Sequence, residues 1–574
     1  MPPTWVQRML RVACCIWAHA APAQAGADKR GIMHSKPDSL LRSLHDALRD
    51  PRPQMREQVA RALGSVGDSS SVGVLAESLA DSEVDVRRAA SDALGRIGGH
   101  DVVRALTAAL CDESHWVRFS ATQALGRIAD PSSADALMAS LLSDELRVGD
   151  DTAVALRAVK TPEILARLAS LLEDESEPVR SRAARDLGVL EDQAAIPVLA
   201  ASLDDPDASV RDCAVDALGR IGGPEAAGGL LSALERSEPQ QRKYVIRALG
   251  AARSSLALPA LLNALHDEDP SSRVAAAAAL GALGDPRAVP ALVAALDDEF
   301  EPASSNAADA LGAIGDHSAL EPLSHALRSG NDFTRCASAT ALGRLGDGEA
   351  LPSLEAALDD GYAAVRREAA TALGAIGAVN VLDPLVRAIQ DDESTVRVAA
   401  ARALGAIGAS PQAVDALVGA LGDHDWWVRS EAAIGLGQLN AGPALKPLVG
   451  VLNDSERRAR ISACGSLGRL GDVSAVSALI PLTGDEDEGV GVAAIEALGW
   501  IGGPSASSAL IGILSSGEPR VARAAVEALR QIGDPADRDT LDEMALGSGR
   551  MASMAAYALL LWELAGTPTA EDCA

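Results

Sequence analysis

A glycine that closes an Ala-Leu-Gly-like triplet recurs through most of this chain. The spacing is 31 residues, apart from a one-residue insertion before Gly437. Arg157 fills one position, and Arg530 and Leu561 continue the phase, which gives 17 repeats from about residue 37 to 566. Such a period is typical of chains whose repeats bury their apolar sides only against neighbouring repeats. The recurring glycines are Gly64, Gly95, Gly126, Gly188, Gly219, Gly250, Gly281, Gly312, Gly343, Gly374, Gly405, Gly437, Gly468 and Gly499.

Each repeat is predicted to form two helices. The first covers segments such as residues 289–296, with Pro290 near its start, where proline costs least. The second contains a VR…ALGxIG pattern, and Gly408 is expected to end one such helix in a left-handed cap. The triplet glycine falls inside that helix, which implies close helix contact. The sequence therefore predicts an all-α solenoid of about 17 helix pairs. In one second helix, a single face collects Val396, Ala400, Leu404 and Ile407.

The composition limits which residues can form the core and which partners can bind. Hydrophobic residues make up 48% of the chain, yet aromatic residues only 2%, so the core must be thin and built from Ala, Leu, Val and Ile. The net charge is −29, which argues against duplex nucleic acid as a partner because phosphate binding needs a cationic surface.

Seven cysteines occur without a CxxC pair, which disfavours a disulfide framework or a zinc site and favours a reducing, cytoplasmic location. Residues 1–36 are predicted to be an N-terminal extension. Its arginines, short apolar run and Ala23-Gln24-Ala25 are similar to a secretory signal, but His19 and Pro22 interrupt the run. A misassigned start or a disordered extension is favoured over a signal. Residues 37–566 form the predicted solenoid and 567–574 a tail, with no membrane span.

An aspartate six residues before an arginine marks the second helix of many repeats. This pattern resembles HEAT repeats of the phycobilisome-lyase-like subtype. The resemblance implies a hydrogen-bonded ladder between layers, formed by residues such as Asp81, Arg87, Asp112, Arg118, Asp391 and Arg397. The arginine is replaced at Gly149, Ser304, Gly491, Ala522 and Ser553.

The sequence constrains the function of the protein less than it constrains the fold. The acidic, lysine-poor composition resembles that of proteins from salt-loving archaea, in which similar HEAT-repeat proteins include adaptors that join chemotaxis proteins to the motility motor. The resemblance implies a non-enzymatic protein–protein interaction scaffold, with chemotaxis and motility accessory proteins as partners. The alternative is a bilin lyase-like enzyme or a chaperone for a chromoprotein, because bilin lyases give the repeat subtype its name.

Aromatic residues suggest where partners bind. Trp116, Phe333 and Trp427 share one phase of the second helix, and Trp500 lies eleven residues further on in phase, about three helical turns. In HEAT proteins this helix lines the concave surface. We expect a groove for an acidic or amphipathic segment, with Trp426 displaced onto a turn by the insertion. The competing interpretation is that the rings fold over neighbouring helices and the arginines balance nearby carboxylates. Arginines in the Trp500 phase complete the predicted surface: Arg127, Arg344 and Arg469.

No sequence motif indicates catalysis. HEAT-like deoxyhypusine hydroxylases need His-Glu pairs for a di-iron centre, and no histidine here precedes a glutamate. No phosphate-binding loop, GxSxG or HExxH pattern occurs, so we expect no catalytic residue, cofactor or metal. The apolar end of the last repeat, with Trp562, is a candidate docking face, although a well-packed terminal layer is the more probable interpretation.

Overall fold

Helices and short 3-10 turns make up the regular structure, and no strand occurs in the part of the chain described here. The computed structural model describes residues 45, 48–66, 69–142, 149–378, 381–516 and 519–545. The predicted extension, the tail and the docking face at Trp562 lie outside these residues, so the boundaries at 36 and 566 stay predictions. The described chain divides into an N-terminal block that ends at Ala288 and a C-terminal block that begins at Val289.

The N-terminal block contains fifteen described helices, in which odd numbers mark the second helix of each repeat. Successive odd-numbered helices pack against one another, so the block is a stack of helix pairs. The helices are α1 (Pro53–Val66), α2 (Val72–Ser78), α3 (Val84–Ile97), α4 (His100–Ala109), α5 (His115–Ile128), α6 (Ala134–Leu142), α7 (Gly149–Val159), α8 (Pro162–Leu171), α9 (Glu177–Leu190), α10 (Ile196–Ala201), α11 (Ala208–Ile221), α12 (Gly223–Arg236), α13 (Pro239–Ala251), α14 (Leu258–Ala264) and α15 (Pro270–Leu283).

The C-terminal block repeats the same arrangement, again with odd numbers for the second helices. Its described helices are α16 (Val289–Ala295), α17 (Glu301–Ile314), α18 (Leu320–Ser329), α19 (Asp332–Leu345), α20 (Leu351–Ala357), α21 (Ala363–Ile376), α22 (Leu382–Ala388), α23 (Ser394–Ile407), α24 (Pro411–Ala420), α25 (Trp426–Gln438), α26 (Leu445–Val451), α27 (Arg457–Leu470), α28 (Val476–Leu479), α29 (Glu488–Ile501), α30 (Pro504–Ser516), α31 (Pro519–Ile532) and α32 (Pro535–Ala545). The predicted all-α solenoid of helix pairs is confirmed.

Local sequence explains where the helices of one repeat begin and end. The Asp347 carboxylate accepts a hydrogen bond of 2.9 Å from the Glu349 N–H and so caps the 3-10 turn that precedes α20. A proline follows at the first turn of α20, where its missing N–H costs nothing. Gly377 ends α21 with φ 73° and ψ 20°, the left-handed cap that glycine adopts without strain.

Glycine inside the second helix lets neighbouring repeats approach closely. A Cβ added at Gly374 would lie 2.7 Å from the Ala403 Cβ and 2.8 Å from its Cα. The same approach joins Gly250 to Ala279, with both distances at 2.6 Å. Each glycine therefore faces the backbone of the next second helix, and Val365, Leu373 and their equivalents fill the layer between helices without exposure.

The insertion lies elsewhere than the sequence suggested. The six-residue spacing from Asp423 to Arg429 is unchanged, and the extra residue falls in the turn between Gly408 and Pro411, where α24 begins. Gly408 consequently has φ 117° and ψ 165°, so the predicted left-handed cap is wrong. Trp426 is not on a turn; it is the first residue of α25. The Asp425 carboxylate caps this helix by accepting a 2.8 Å hydrogen bond from the Trp427 N–H.

Candidate functional site

Buried arginines connect consecutive second helices. Arg397 is 4% exposed, and its Nε and Nη2 donate hydrogen bonds of 2.7 and 2.9 Å to the carboxylate of Asp423 in the next repeat. Its Nη1 donates to the main-chain oxygen of Asp391 in its own repeat at 2.7 Å. One guanidinium thus satisfies a carboxylate and a carbonyl in two layers, a geometry that lysine cannot reproduce.

This Arg–Asp ladder recurs in both blocks with nitrogen–oxygen distances from 2.6 to 2.8 Å. The hydrogen bond from Arg429 holds the pKa of Asp454 below its ordinary value of 3.8. Arg118 donates to the Asp112 main-chain oxygen at 2.7 Å. The position of its ladder partner in the next repeat lies outside the described residues. The pairs are Arg56–Asp81, Arg87–Asp112, Arg180–Asp205, Arg242–Asp267, Arg335–Asp360, Arg366–Asp391, Arg397–Asp423, Arg429–Asp454 and Arg460–Asp485.

The ladder is interrupted where another residue replaces its arginine or its aspartate. Ser304 replaces an arginine, and its buried hydroxyl lies 2.7 Å from the Thr334 hydroxyl, so a neutral hydrogen bond takes the place of the ion pair. Arg211 keeps its bond to the Asp205 main-chain oxygen at 2.7 Å. However, the position where the next aspartate would fall is Arg236, so Arg211 has no ladder carboxylate among the described residues.

The predicted aromatic residues are exposed on the second helices. Trp116 on α5 and Phe333 on α19 are 54% and 57% exposed, and Trp427 on α25 and Trp500 on α29 are 38% and 43% exposed. The Trp116 ring contacts the His115 ring, with centroids 4.5 Å apart. Phe333 has no ring partner in the described part of the chain. These four positions, with Arg127, Arg344 and Arg469, are called the second-helix stripe below.

The adjacent tryptophans form a stack that spans three repeats. The Trp426 and Trp427 rings are nearly parallel at 24°, with centroids 6.5 Å apart. Arg402 of α23 covers Trp427 at 5.5 Å, and Arg458 of α27 covers Trp426 at 5.2 Å. Glu431 accepts from both the Trp427 indole at 3.1 Å and Arg402 at 2.6 Å. The pair therefore connects α23, α25 and α27, and cation–π contacts hold its rings in place.

Other stripe residues fold over the preceding repeat. A Cβ added at Gly468 would lie 2.7 Å from Cε3 of Trp500, so this ring covers the glycine. Arg127 and Arg344 lie 4.0 and 3.8 Å from carboxylates of the preceding second helices, Asp92 and Asp309. Burial raises the pKa of Asp309, although Arg344 acts in the opposite direction.

A cleft of about 560 Å³ opens on the second helices α9, α11 and α13 of the N-terminal block. Arg185, Arg220 and Arg247 line it, one from each helix, together with Tyr244. Arg220 pairs with Asp216 at 3.2 Å, whereas Arg185 and Arg247 form no ion pair with any described residue. No pattern in the sequence predicted this cleft. Its available signal was the arginine at 236, where the repeat elsewhere places the ladder aspartate.

Two further properties apply to the described residues alone. No group of three or more histidines, cysteines, aspartates or glutamates among them is arranged to hold a metal ion. None of the described helices is both long and apolar enough to cross a membrane.

HEAT repeats, as a protein family, match this chain nine times and cover nearly all of it. The matches span residues 30–91, 73–157, 164–237, 227–303, 289–365, 356–437, 395–461, 445–516 and 493–560. The chain belongs to the HEAT-repeat family. No curated protein matches it.

Several solved HEAT-type structures are similar to this HEAT-repeat chain. Yeast importin-β (Kap95p) is 13% identical, with 98% of this chain and 96% of that chain covered and a TM-score of 0.45. The Kap95:Nup1 complex is also 13% identical, with 93% of this chain and 90% of that chain covered and a TM-score of 0.45. The complex of CpcE and CpcF of phycocyanin lyase from Nostoc sp. is 27% identical over 42% of this chain and 92% of that chain, with a TM-score of 0.27. With TM-scores below 0.5, none of these resemblances bears on function.

Proposed function

We propose that this HEAT-repeat protein is a non-enzymatic scaffold that binds segments of other proteins on the second-helix stripe. The observation that carries the proposal is that Trp116 and Phe333 are each more than half exposed, in a chain with only 2% aromatic residues. Large rings held in water on a regular helix are typical anchors of protein interfaces.

The charge of the stripe suggests what kind of segment binds. Arg127 and Arg344 are exposed on the same helices as Trp116 and Phe333, and Arg469 is exposed on α27, the second helix of the repeat before that of Trp500, whereas the whole chain carries a net charge of −29. The contacts of Arg127 and Arg344 with neighbouring carboxylates are long and solvated, and such pairs exchange at little cost. On either block, an amphipathic segment with acidic residues would therefore bury an exposed ring and compete for an arginine.

The stripe residues differ in how free they are to bind. Trp427 and Trp500 already contact neighbouring repeats, which supports a structural role for their rings. We assign Trp116 and Phe333 the main part in binding, and Trp426 a part in the stack that supports Trp427. Both interpretations of the aromatic residues thus apply, each to different members of the stripe.

A narrower form of the proposal names the partners. It places the protein in the cytoplasm as an adaptor between chemotaxis proteins and motility accessory proteins. Its support is the repeat type together with the acidic, lysine-poor composition. Affinity capture at high salt, followed by mass spectrometry, tests it: signalling or motility proteins should be enriched, and a bilin-bearing protein would favour the lyase alternative instead.

The stripe itself is tested with single alanine variants. Trp116→Ala and Phe333→Ala should each raise the dissociation constant of the captured partner about tenfold or more, because an anchor ring contributes about 2 kcal/mol or more to binding. The readout is the dissociation constant by biolayer interferometry. Matched controls are Leu256→Ala and Val473→Ala, which remove exposed apolar side chains, 54% and 59% exposed, from turns before first helices. Equal losses in controls and stripe variants would contradict the proposal.

A further inference from the structure

The cleft on α9, α11 and α13 concentrates positive charge in an acidic protein. Arg185, Arg220 and Arg247 come from three consecutive second helices, and their side chains are exposed. Two of them have no carboxylate partner among the described residues. The carboxylates in the lining are Asp212 and Asp216, so the arginines outnumber them. A guanidinium that faces water without a partner offers two parallel donors to a carboxylate.

The second helices pack less closely at this joint than one layer earlier. Between α11 and α13 a Cβ added at Gly219 would lie 3.0 Å from the Ala248 Cα, against 2.7 Å for Gly188 and Ala217 one layer earlier. The ladder is also broken here, since Arg211 has no carboxylate partner from the next repeat among the described residues. A second cavity of about 310 Å³ lies on the ladder side of the same joint and shares Tyr244 with the cleft.

We propose that this cleft binds an extended acidic peptide segment, whose carboxylates pair with Arg185 and Arg247 while a side chain packs on Tyr244. This inference rests on the proposed scaffold function and names the partner chemistry of one surface. Tyr244 is 45% exposed, and the Lys243 ammonium lies 5.1 Å from its ring centroid, which adds a cation at the edge of the cleft.

The spacing of the arginines favours a peptide over a small anion. Arg185 and Arg247 lie two repeats apart, and helix layers are about 8–10 Å apart, so their helices are separated by roughly 16–20 Å. A single phosphate cannot span this distance. An extended chain covers about 3.3 Å per residue, so a segment of about six residues reaches from one arginine to the other. A volume of about 560 Å³ is within the range usual for small-molecule pockets, so the cleft holds part of such a segment and the rest lies along the surface.

The test uses the full chain and a fluorescein-labelled peptide of six glutamates flanked by glycines, with fluorescence anisotropy as the readout. Salt of about 0.15 M shortens the Debye length to about 8 Å, so that the acidic remainder of the surface repels the peptide less. The variant Arg185→Gln/Arg247→Gln should weaken binding about tenfold, since each exposed ion pair contributes up to about 1 kcal/mol. Replacing the glutamates by glutamines should abolish binding.

The matched control is Arg104→Gln/Arg167→Gln, which also removes two positive charges, but from the first helices α4 and α8. It should leave the peptide affinity within about twofold. A similar loss in this control, or no peptide binding by the unchanged protein, would overturn the inference, and so would displacement of the peptide by inorganic phosphate at equal concentration. The Phe333→Ala variant separates the two proposals. If this variant captures its partner less tightly while the double arginine variant binds the peptide unchanged, only the cleft inference fails.

Discussion

At the scale of single residues, glycine positions decide how closely repeats pack. Gly468 in α27 faces the Ala497 Cα and the Trp500 ring, with added-Cβ distances of 3.0 and 2.7 Å. Gly465 lies three residues earlier in the same helix and would meet nothing within 4 Å. One helix therefore contains a glycine that packing requires and another that it does not.

Replacing each of these glycines by alanine should have opposite effects. Alanine is favoured over glycine inside a helix by about 1 kcal/mol, so Gly465→Ala should stabilise the C-terminal block by up to that amount. Gly468→Ala should destabilise it by about 1–3 kcal/mol, because the new methyl group pushes α29 away. Thermal unfolding followed by circular dichroism measures both changes. A higher melting temperature for Gly468→Ala would contradict the close approach.

At the scale of elements, the Arg–Asp ladder fastens each second helix to the next. Most of its arginines are nearly buried, so their charge is tolerated only because a carboxylate and a carbonyl are already in place. Arg397 has both partners, whereas Arg211 has carbonyl oxygens and no carboxylate among the described residues. The chain thus supplies its own internal comparison for what the ion pair contributes.

Removing the Arg397 side chain should therefore cost more than removing that of Arg211. Arg397→Met leaves the Asp423 carboxylate buried without its partner, which costs about 3–5 kcal/mol. Arg211→Met loses hydrogen bonds to carbonyl oxygens, at about 1 kcal/mol. Hydrogen exchange with mass spectrometry reports the local opening free energies of α23 and α25 in one case and of α11 in the other. Equal protection losses would show that the carboxylate contributes nothing.

The ladder also predicts how stability responds to acid. Because Arg429 lowers the pKa of Asp454 below its ordinary 3.8, the folded chain binds a proton less readily than the unfolded chain. This contribution is complete above about pH 4 and is lost as pH falls through the lowered folded-state pKa. Asp454→Asn should flatten the fall of melting temperature between about pH 5 and 2, and Asp415→Asn, on a first helix, should not. An unchanged acid slope in Asp454→Asn would contradict this assignment.

At the scale of the whole molecule, the charge is far from balanced. The ladder pairs neutralise one another inside the layers, so the net charge of −29 resides mostly on exposed carboxylates. Exposed like charges repel over distances comparable to the Debye length, whereas buried pairs are screened little.

Salt should consequently stabilise this protein. Raising sodium chloride from about 0.05 to 0.5 M shortens the Debye length and weakens the repulsion while leaving the ladder nearly unaffected. The melting temperature by differential scanning calorimetry should rise over this range. An equal osmolality of sucrose separates screening from general exclusion effects: the rise should be larger in salt, and a fall in salt would show that surface ion pairs dominate.

The sequence predicted the fold well because its signals are local and repeated. The spacing of Val396, Ala400 and Leu404 identifies a buried helix face, and all three are fully buried. The candidate site was less accessible to such reasoning. The contacts of Trp426 and Trp427 with Arg402 and Arg458 connect residues from three repeats at positions that the pattern does not fix. The cleft lies beside a joint that lacks a ladder aspartate, and the arginine at 236 marks that joint without indicating which residues line the cleft.

The direction of the ladder has a consequence for how such a chain gains or loses copies of its repeat. Each arginine meets its carboxylate about 25 residues later, across the junction between repeats. If one whole repeat after Arg366 were excised, Asp423 would take the position of Asp391, and the ion pair with Arg366 would form again. The same excision after Arg180 would present Arg236 and place two cations together. Recombination between copies is therefore conservative along most of the ladder but damaging next to the cleft.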